Sequence, residues 1–164
     1  MSLLKEAGQS VIAMIPWDQR AARVLVRPLV HSSVTPNQLT LFTLLLAIVG
    51  AGLFAAGDLT LSNWGASLFV LARFLDHFDG ELARQKGMSS KLGYYLDYAA
   101  GALSYGALFL CIGIGLGNLE LGRWGIILGL AGAASAVISM FTNLGIDKAR
   151  DTADEGEAVG YPGF

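Results

Sequence analysis

Charged residues are sparse in four long stretches of this chain and gather mainly in the intervals between them. From Leu39 to Ala56 every residue is apolar, Gly or Thr, close to the roughly 20 residues that a membrane-spanning helix needs. Thr35-Pro36-Asn37 opens this run with a Thr suited to the N-cap and a Pro suited to the first helical position. Gly57-Asp58 closes it. A second run extends from about Leu61 through Leu75 and continues as helix into a polar motif that begins at Asp76. A third runs from near Lys91 to about Leu116, with a short turn at Gly117, Asn118 and Glu120. The fourth extends from about Trp124 to Leu144 and ends at Asp147-Lys148. The pattern predicts an all-α integral membrane protein with about four transmembrane helices. Glycines within the runs, among them Gly50, Gly52, Gly106, Gly113 and Gly129, suit close helix packing.

The segment before the first run has a different period. Residues 1–15 are weakly apolar and read as a short surface helix stopped by Pro16. Trp17, Ala21, Val24 and Leu25 then share one helical face, while Arg20, Arg23 and Arg27 line another, and Pro28 ends the pattern. A short helix with an apolar face, an interfacial Trp and a basic stripe lies along a membrane surface. Its arginines either anchor topology or touch lipid phosphates. The chain thus divides into N-terminal surface helices at 1–34, a transmembrane domain at 35–146 and a polar tail at 147–164. Within the tail, residues 149–164 are acidic and Gly-rich and read as loop or disordered. Lys5 and Glu6, with no long apolar core before a cleavage site, argue against a signal peptide.

Composition sharpens this picture. Hydrophobic residues make up 54% of 164 and mean hydropathy is +0.54, which excludes an ordinary soluble domain. The lone Cys111 excludes an internal disulfide framework. The net charge of −2 matters less than its distribution. Every Lys and Arg except Arg123 falls on the side that holds the N-terminus, the second-to-third connection and the tail. By the positive-inside rule both termini and the Asp76 motif face the cytoplasm, where nucleotides and activated precursors are found. The expected location is the inner (plasma) membrane of a bacterium.

The candidate chemistry lies between Asp76 and Asp97. Asp76 and Asp79 are i and i+3, so a helix puts them on one face; Gly80 and Ala83 extend that face, with Arg84 at its edge. In the next helix Gly93 and Asp97 are i and i+4. Asp76 and Asp79 alone would fit a solvated helix end, but Asp97 lies inside the third apolar run, where a lone charge is costly. Three carboxylates without Cys favour Mg²⁺ or Mn²⁺. Gly80, Ala83 and Gly93 leave room for a ligand, and Arg84 carries a fork suited to phosphate oxygens. Together they point to chemistry on a diphosphate. Lys86 and Lys91 read as topology-setting lysines. Gly113 to Gly117 lies in an apolar helix with no strand before it, and is not a phosphate loop.

At these residues the chain resembles the CDP-alcohol phosphotransferase family, whose signature reads D-x-x-D-G-x-x-A-R-(x8)-G-x-x-x-D-x-x-x-D. Asp76, Asp79, Gly80, Ala83, Arg84, Gly93 and Asp97 match it in type and spacing. Gly87, Ser89-Ser90 and Thr35-Pro36-Asn37 are also similar to the family's pattern. The resemblance implies transfer of a phosphatidyl or similar phospho-alcohol group from a CDP-linked donor, such as CDP-diacylglycerol, to an alcohol, with release of CMP in phospholipid biosynthesis. It implies that Asp76, Asp79 and Asp97 bind the metal, while Gly80, Ala83, Arg84 and Gly93 hold the nucleotide. Expected partners are the lipid donor, an alcohol acceptor and membrane lipid, with no nucleic acid, and glycine-rich helix faces leave room for a second copy of the chain. The chain departs from the family twice. The fourth aspartate, which the resemblance makes a ligand and the acceptor's base, is replaced by Gly101; Tyr105 and His77 are the nearest substitutes. The family has six spans where four are found here, so this is a shortened or truncated form, or another chain supplies the rest. Two alternatives therefore stand beside an active transferase: an impaired nucleotide- and metal-binding pseudoenzyme, and an ion-binding transport protein.

Overall fold

Helix starts form where the sequence places its caps. A computed structural model describes residues 23–119 and 121–159. A short helix α1, Arg27–Val30, precedes α2, Pro36–Phe54; α3 is Leu59–Lys86, α4 is Lys91–Asn118 and α5 is Arg123–Val159. The surface helix expected at 1–15, the positions Trp17, Arg20 and Ala21, Glu120 and residues 160–164 lie outside the described residues. At the start of α2 the Thr35 hydroxyl accepts from the Gln38 N–H at 3.3 Å, and the Gln38 carboxamide accepts from the Thr35 N–H at 3.0 Å. This closed capping box, with Pro36 following it, contributes about 1 kcal/mol. Asp58 caps α3 through the Leu61 N–H at 2.8 Å, and Ser90 caps α4 through the Gly93 N–H at 3.0 Å. Gly87 ends α3 in the left-handed region at φ +65°, and the next N–H, from Met88, bonds back to the Ala83 carbonyl at 2.9 Å. A helix stopped by Gly87 and restarted by Ser90 leaves a tight turn. That turn sets the register between the two halves of the aspartate motif.

Small residues decide which helices touch. α3 runs antiparallel to α2, with Gly50 against Gly65: a Cβ on Gly65 would stand 2.6 Å from the Gly50 carbonyl oxygen. Below this contact Ala47, Phe69 and Ala72 form a buried cluster, joined by Leu46, Tyr105 and Leu108. α4 runs parallel to α2, and Asn118 donates to the Ala55 carbonyl at 3.1 Å. α5 returns antiparallel along α4, where Gly113 faces Gly129 and Gly117 faces Gly125. Among the described residues, α5 packs its backbone on α4 alone, and α3 reaches α4 only through side chains. The helices therefore stand in the order α3, α2, α4, α5, with α2 as the shared wall for both halves of the motif. A second cluster, Val26, Phe78 and Leu82, fastens the residues before α2 to the motif end of α3.

Among the described residues, three helices are long and apolar enough to cross a membrane: Pro36–Phe54, Lys91–Asn118 and Arg123–Arg150. The fourth expected span, in α3, carries Ser62, Asn63, Ser67 and Arg73; pairing along α2 places it at the same depth. Their outward faces bear Leu45, Leu103, Ile127 and Phe141, all more than half exposed or nearly so, as lipid-facing surfaces require. The chain is an all-α integral membrane protein. The tail departs from expectation, because α5 does not stop near Leu144 but continues through Val159. Residues 149–159 contain neither Pro nor a Gly pair, so nothing in the backbone interrupts the helix.

The glycine contacts give the first testable outcome. A Cβ on Gly113 would stand 2.5 Å from the Gly129 Cα, so Gly113→Ala should destabilise by about 1–3 kcal/mol through overpacking. Gly52 has nothing within 4 Å of its would-be Cβ, and Gly52→Ala should be neutral or gain up to about 1 kcal/mol. Thermal unfolding in detergent checks this; equal midpoints for the two variants would contradict the assigned α4–α5 contact.

Candidate active site

The turn at 87–90 and the common wall of α2 bring the expected carboxylates together. Asp76 and Asp79 from α3 and Asp97 from α4 each offer an oxygen, and these oxygens lie within 4.8 Å of one another. Asp79 is buried, Asp76 half-buried and Asp97 exposed. Like charges at 4 Å repel by about 4 kcal/mol per pair at a protein surface, so the group needs compensation. α2 supplies part of it. The Thr40 hydroxyl donates to Asp79 Oδ2, and the Thr43 hydroxyl approaches Asp76 Oδ1 at 3.4 Å. The Gly80 N–H donates to Asp79 Oδ1 at 2.6 Å. Arg73, one turn before Asp76, places Nη2 2.9 Å from its Oδ2 and lies over the Tyr105 ring at 5.2 Å. One arginine against three carboxylates leaves two negative charges. An oxygen-only donor set with that residual charge fits a hard divalent cation.

A cleft of about 240 Å³ opens beside the carboxylates. Gly80, Ala83 and Gly93 line it, with Asn37 from α2 and Tyr94 at its sides and Arg84 at its mouth. The two glycines serve differently. A Cβ on Gly80 would meet nothing nearer than Arg84 Nη1 at 3.8 Å, whereas one on Gly93 would crowd Asn37 Oδ1 at 3.2 Å and Ser90 Oγ at 3.3 Å. Gly80 leaves open floor; Gly93 lets α4 approach α2.

Other positions sit differently from a simple motif reading. Arg84 lines the cleft, but its Nε and Nη2 bind Glu81 Oε2 at 3.1 and 2.8 Å. Lys86 does more than set topology: its ammonium donates to the carbonyls of Ser32 at 2.8 Å and Val34 at 2.6 Å. That holds the strand of chain that enters α2. His77 is exposed, with Nδ1 2.9 Å from the Arg73 carbonyl oxygen. Tyr105 stands edge-on to Phe69, centroids 5.6 Å apart. At position 101 the terminal methyl of Met140, reaching over from α5, lies where a Cβ would stand. The space for a fourth carboxylate is thus filled by a thioether.

Thr40, Thr43, Arg73 and Glu81 belong to this site and were not singled out by sequence pattern. Thr40 and Thr43, three residues apart in an otherwise apolar run, carried the one available signal. Arg73 and Glu81 gave none, since both read as ordinary charges at a helix end.

A helical membrane bundle with a carboxylate-lined cleft between consecutive helices defines the class. Residues 33–154 match the CDP-alcohol phosphatidyltransferase family, and the chain belongs to that family. It is 33% identical over 100 residues to an archaetidylinositol phosphate synthase of Pyrococcus horikoshii, covering 61% of this chain and 50% of that protein. It is 36% identical over 96 residues to a phosphatidylinositol phosphate synthase of Corynebacterium glutamicum, covering 56% and 42%. A bifunctional IPC transferase and DIPP synthase of Rubrobacter xylanophilus is 44% identical over 69 residues, 42% of this chain and 15% of that protein. The matched stretches thus span half or less of these relatives.

The Thr40–Asp79 contact is testable by stability alone. Thr40→Val leaves a buried carboxylate oxygen without its donor and should cost about 1–3 kcal/mol, whereas Thr40→Ser keeps the hydroxyl and should cost less. Chemical or thermal unfolding in detergent measures both; a Val variant as stable as the Ser variant would remove Thr40 from the site.

Proposed function

We propose that the chain catalyses divalent-metal-dependent transfer of a phosphatidyl-type group from a CDP-linked lipid donor to an alcohol, releasing CMP. The observation that carries this reading is the convergence of Asp76, Asp79 and Asp97 within 4.8 Å beside a cleft lined by Gly80, Ala83 and Gly93. Asp76, Asp79 and Asp97 would hold Mg²⁺ or Mn²⁺. Bound there, the cation would supply charge neutralisation for the diphosphate and its leaving group. Gly80, Ala83 and Gly93 keep side chains out of the nucleotide's path. Arg84 meets phosphate oxygens at the mouth of the cleft.

The acceptor hydroxyl oxygen bonds to the phosphorus that carries the lipid alcohol. The bond from that phosphorus to the bridging oxygen breaks, CMP leaves with the electron pair, and the acceptor's hydroxyl proton passes to water. The residues at hand position the two partners and offset charge, which is the main catalytic means in phosphoryl transfer. The cleft lies at the end of the bundle that carries all the described basic residues except Arg123, which supports a cytoplasmic site, in a bacterium at the inner membrane. Relatives named as inositol phosphate lipid synthases make an inositol phosphate the first acceptor to try.

A second reading, a nucleotide- and metal-binding protein without turnover, is favoured by one observation. Position 101 offers no carboxylate for the acceptor proton, and Met140 fills its place.

CMP release from CDP-diacylglycerol by purified protein with Mg²⁺ or Mn²⁺, against a panel of alcohols that includes inositol phosphate, separates these readings. Acceptor-dependent release is expected. Asp79→Asn and Asp97→Asn should each lower it by more than about 100-fold, beyond the range seen for outer-shell partners of metals. Unchanged rates in both variants would dismiss the carboxylate assignment. Should wild-type protein bind CDP without turnover, the paired change Gly101→Asp with Met140→Ala should restore release. A paired variant as inactive as Met140→Ala alone would show that position 101 is not the lesion.

A further inference from the structure

Glu81 lies two residues beyond Asp79 on α3, and its side chain is only 8% exposed. A carboxylate so enclosed is costly unless its oxygens are engaged. Both are. Oε2 accepts from Arg84 Nε at 3.1 Å and Nη2 at 2.8 Å. Oε1 accepts from Arg23 Nε at 3.3 Å and Gln85 Nε2 at 3.0 Å. The Gln85 carboxamide also donates to the Arg23 carbonyl at 3.1 Å, so α3 grips the basic surface segment at both side chain and backbone. Val26, buried against Phe78 and Leu82 just beyond, fixes that segment in place.

The arrangement at Arg84 is directional. Nε and Nη2 form one edge of the planar guanidinium, and Glu81 takes that edge. The remaining nitrogen, Nη1, stands 3.8 Å from the would-be Cβ of Gly80, above the open floor of the cleft. Arg84 is otherwise 63% exposed along its side chain, and an arginine that exposed samples many rotamers when nothing holds it.

We propose that Glu81 is a positioning residue for the donor's diphosphate: it holds Arg84 by one edge so that Nη1 faces the phosphates, while Arg23 completes the neutralisation of its carboxylate. This rests on the phosphotransferase reading above. Two effects compete. Anchoring in advance removes the rotamer entropy that Arg84 would lose on binding. Against this, the Glu81 charge repels phosphate. Arg23 and Arg84 carry two positive charges against its one negative, so the group as a whole still attracts an anion, and anchoring wins.

CDP titrated into full-length detergent-purified protein with Mn²⁺ decides the sign. Glu81→Gln is expected to weaken CDP binding about tenfold, the scale of a charge-assisted hydrogen bond, and Glu81→Asp to recover part of the loss. Mn²⁺ affinity without nucleotide should stay unchanged in both variants, which shows the carboxylate cluster intact. In an Arg84→Ala background, Glu81→Gln should add less than about twofold, because the two residues act as one unit. An equal loss in both backgrounds would make Glu81 a structural residue and overturn the proposal; so would unchanged or tighter CDP binding by Glu81→Gln. Should Glu81→Gln lose Mn²⁺ affinity as well, Arg23→Ala carries the test. It removes a half-exposed partner and should weaken CDP binding about two- to threefold; no change there would overturn the proposal. Wild-type protein that binds Mn²⁺ but not CDP would overturn the nucleotide reading itself, and the positioning role with it.

Discussion

Three carboxylates within 4.8 Å of one another impose a constraint on everything around them. Their repulsion works to separate α3 from α4, and those two helices have no backbone packing of their own to resist it. α2 resists instead. It packs along α3 through Gly50 and Gly65 and receives Gly93 of α4 beside Asn37, so both halves of the motif lean on one wall. The same helix turns Thr40 and Thr43 toward the carboxylates. Structural support and charge compensation therefore come from one element. Among the described residues a single arginine, Arg73, pairs with the cluster, and the charge that is left over is what a divalent cation would cancel.

The motif end of α3 is held from several directions, and each hold has a chemical reason. Lys86 satisfies two carbonyls in the chain entering α2, which have no helical partner of their own. Val26 closes an apolar contact with Phe78 and Leu82. Arg23 and Gln85 meet over Glu81. A surface segment that would otherwise be a generic membrane anchor is thereby tied to the residues lining the cleft. Glu81 joins these holds, since its carboxylate links that segment to Arg84, which lines the cleft.

Position 101 shows packing and chemistry competing for the same space. Gly101 lets Met140 cross from α5 into the place of a side chain, which adds contact between α4 and α5 where the family pattern calls for a carboxylate. Thioethers adapt to irregular gaps, so the pair packs without strain. The exchange leaves three carboxylates instead of four in the cluster, and under the proposed reaction it removes the group that the family pattern would offer to the acceptor's proton.

The four long helices, the cap at Thr35 and the pairing of Asp76 with Asp79 were legible in the chain, because each depends on residues close to one another in sequence; the cap at Ser90 was not singled out. Hydrophobic run length is additive along the sequence, cap chemistry is local, and i, i+3 spacing alone puts Asp76 and Asp79 on one face. The end of α5 departs from the expected loop for the same local reason: acidic, Gly-containing composition resembles a loop, yet nothing there breaks the helix that begins at Arg123. Pairings between distant residues came from the packing of the helices. Thr40 meets Asp79, Lys86 meets Ser32 and Val34, Arg23 meets Glu81, and Met140 fills the space beside Gly101. Each partner depends on which helix faces turn toward one another, and glycine-to-glycine approaches set that rotation. Periodicity cannot rank such approaches, since every apolar helix here carries several glycines. Run length and local spacing dictate a membrane bundle with an acidic motif; packing selects which neutral hydroxyls, which arginines and which thioether share the site with it.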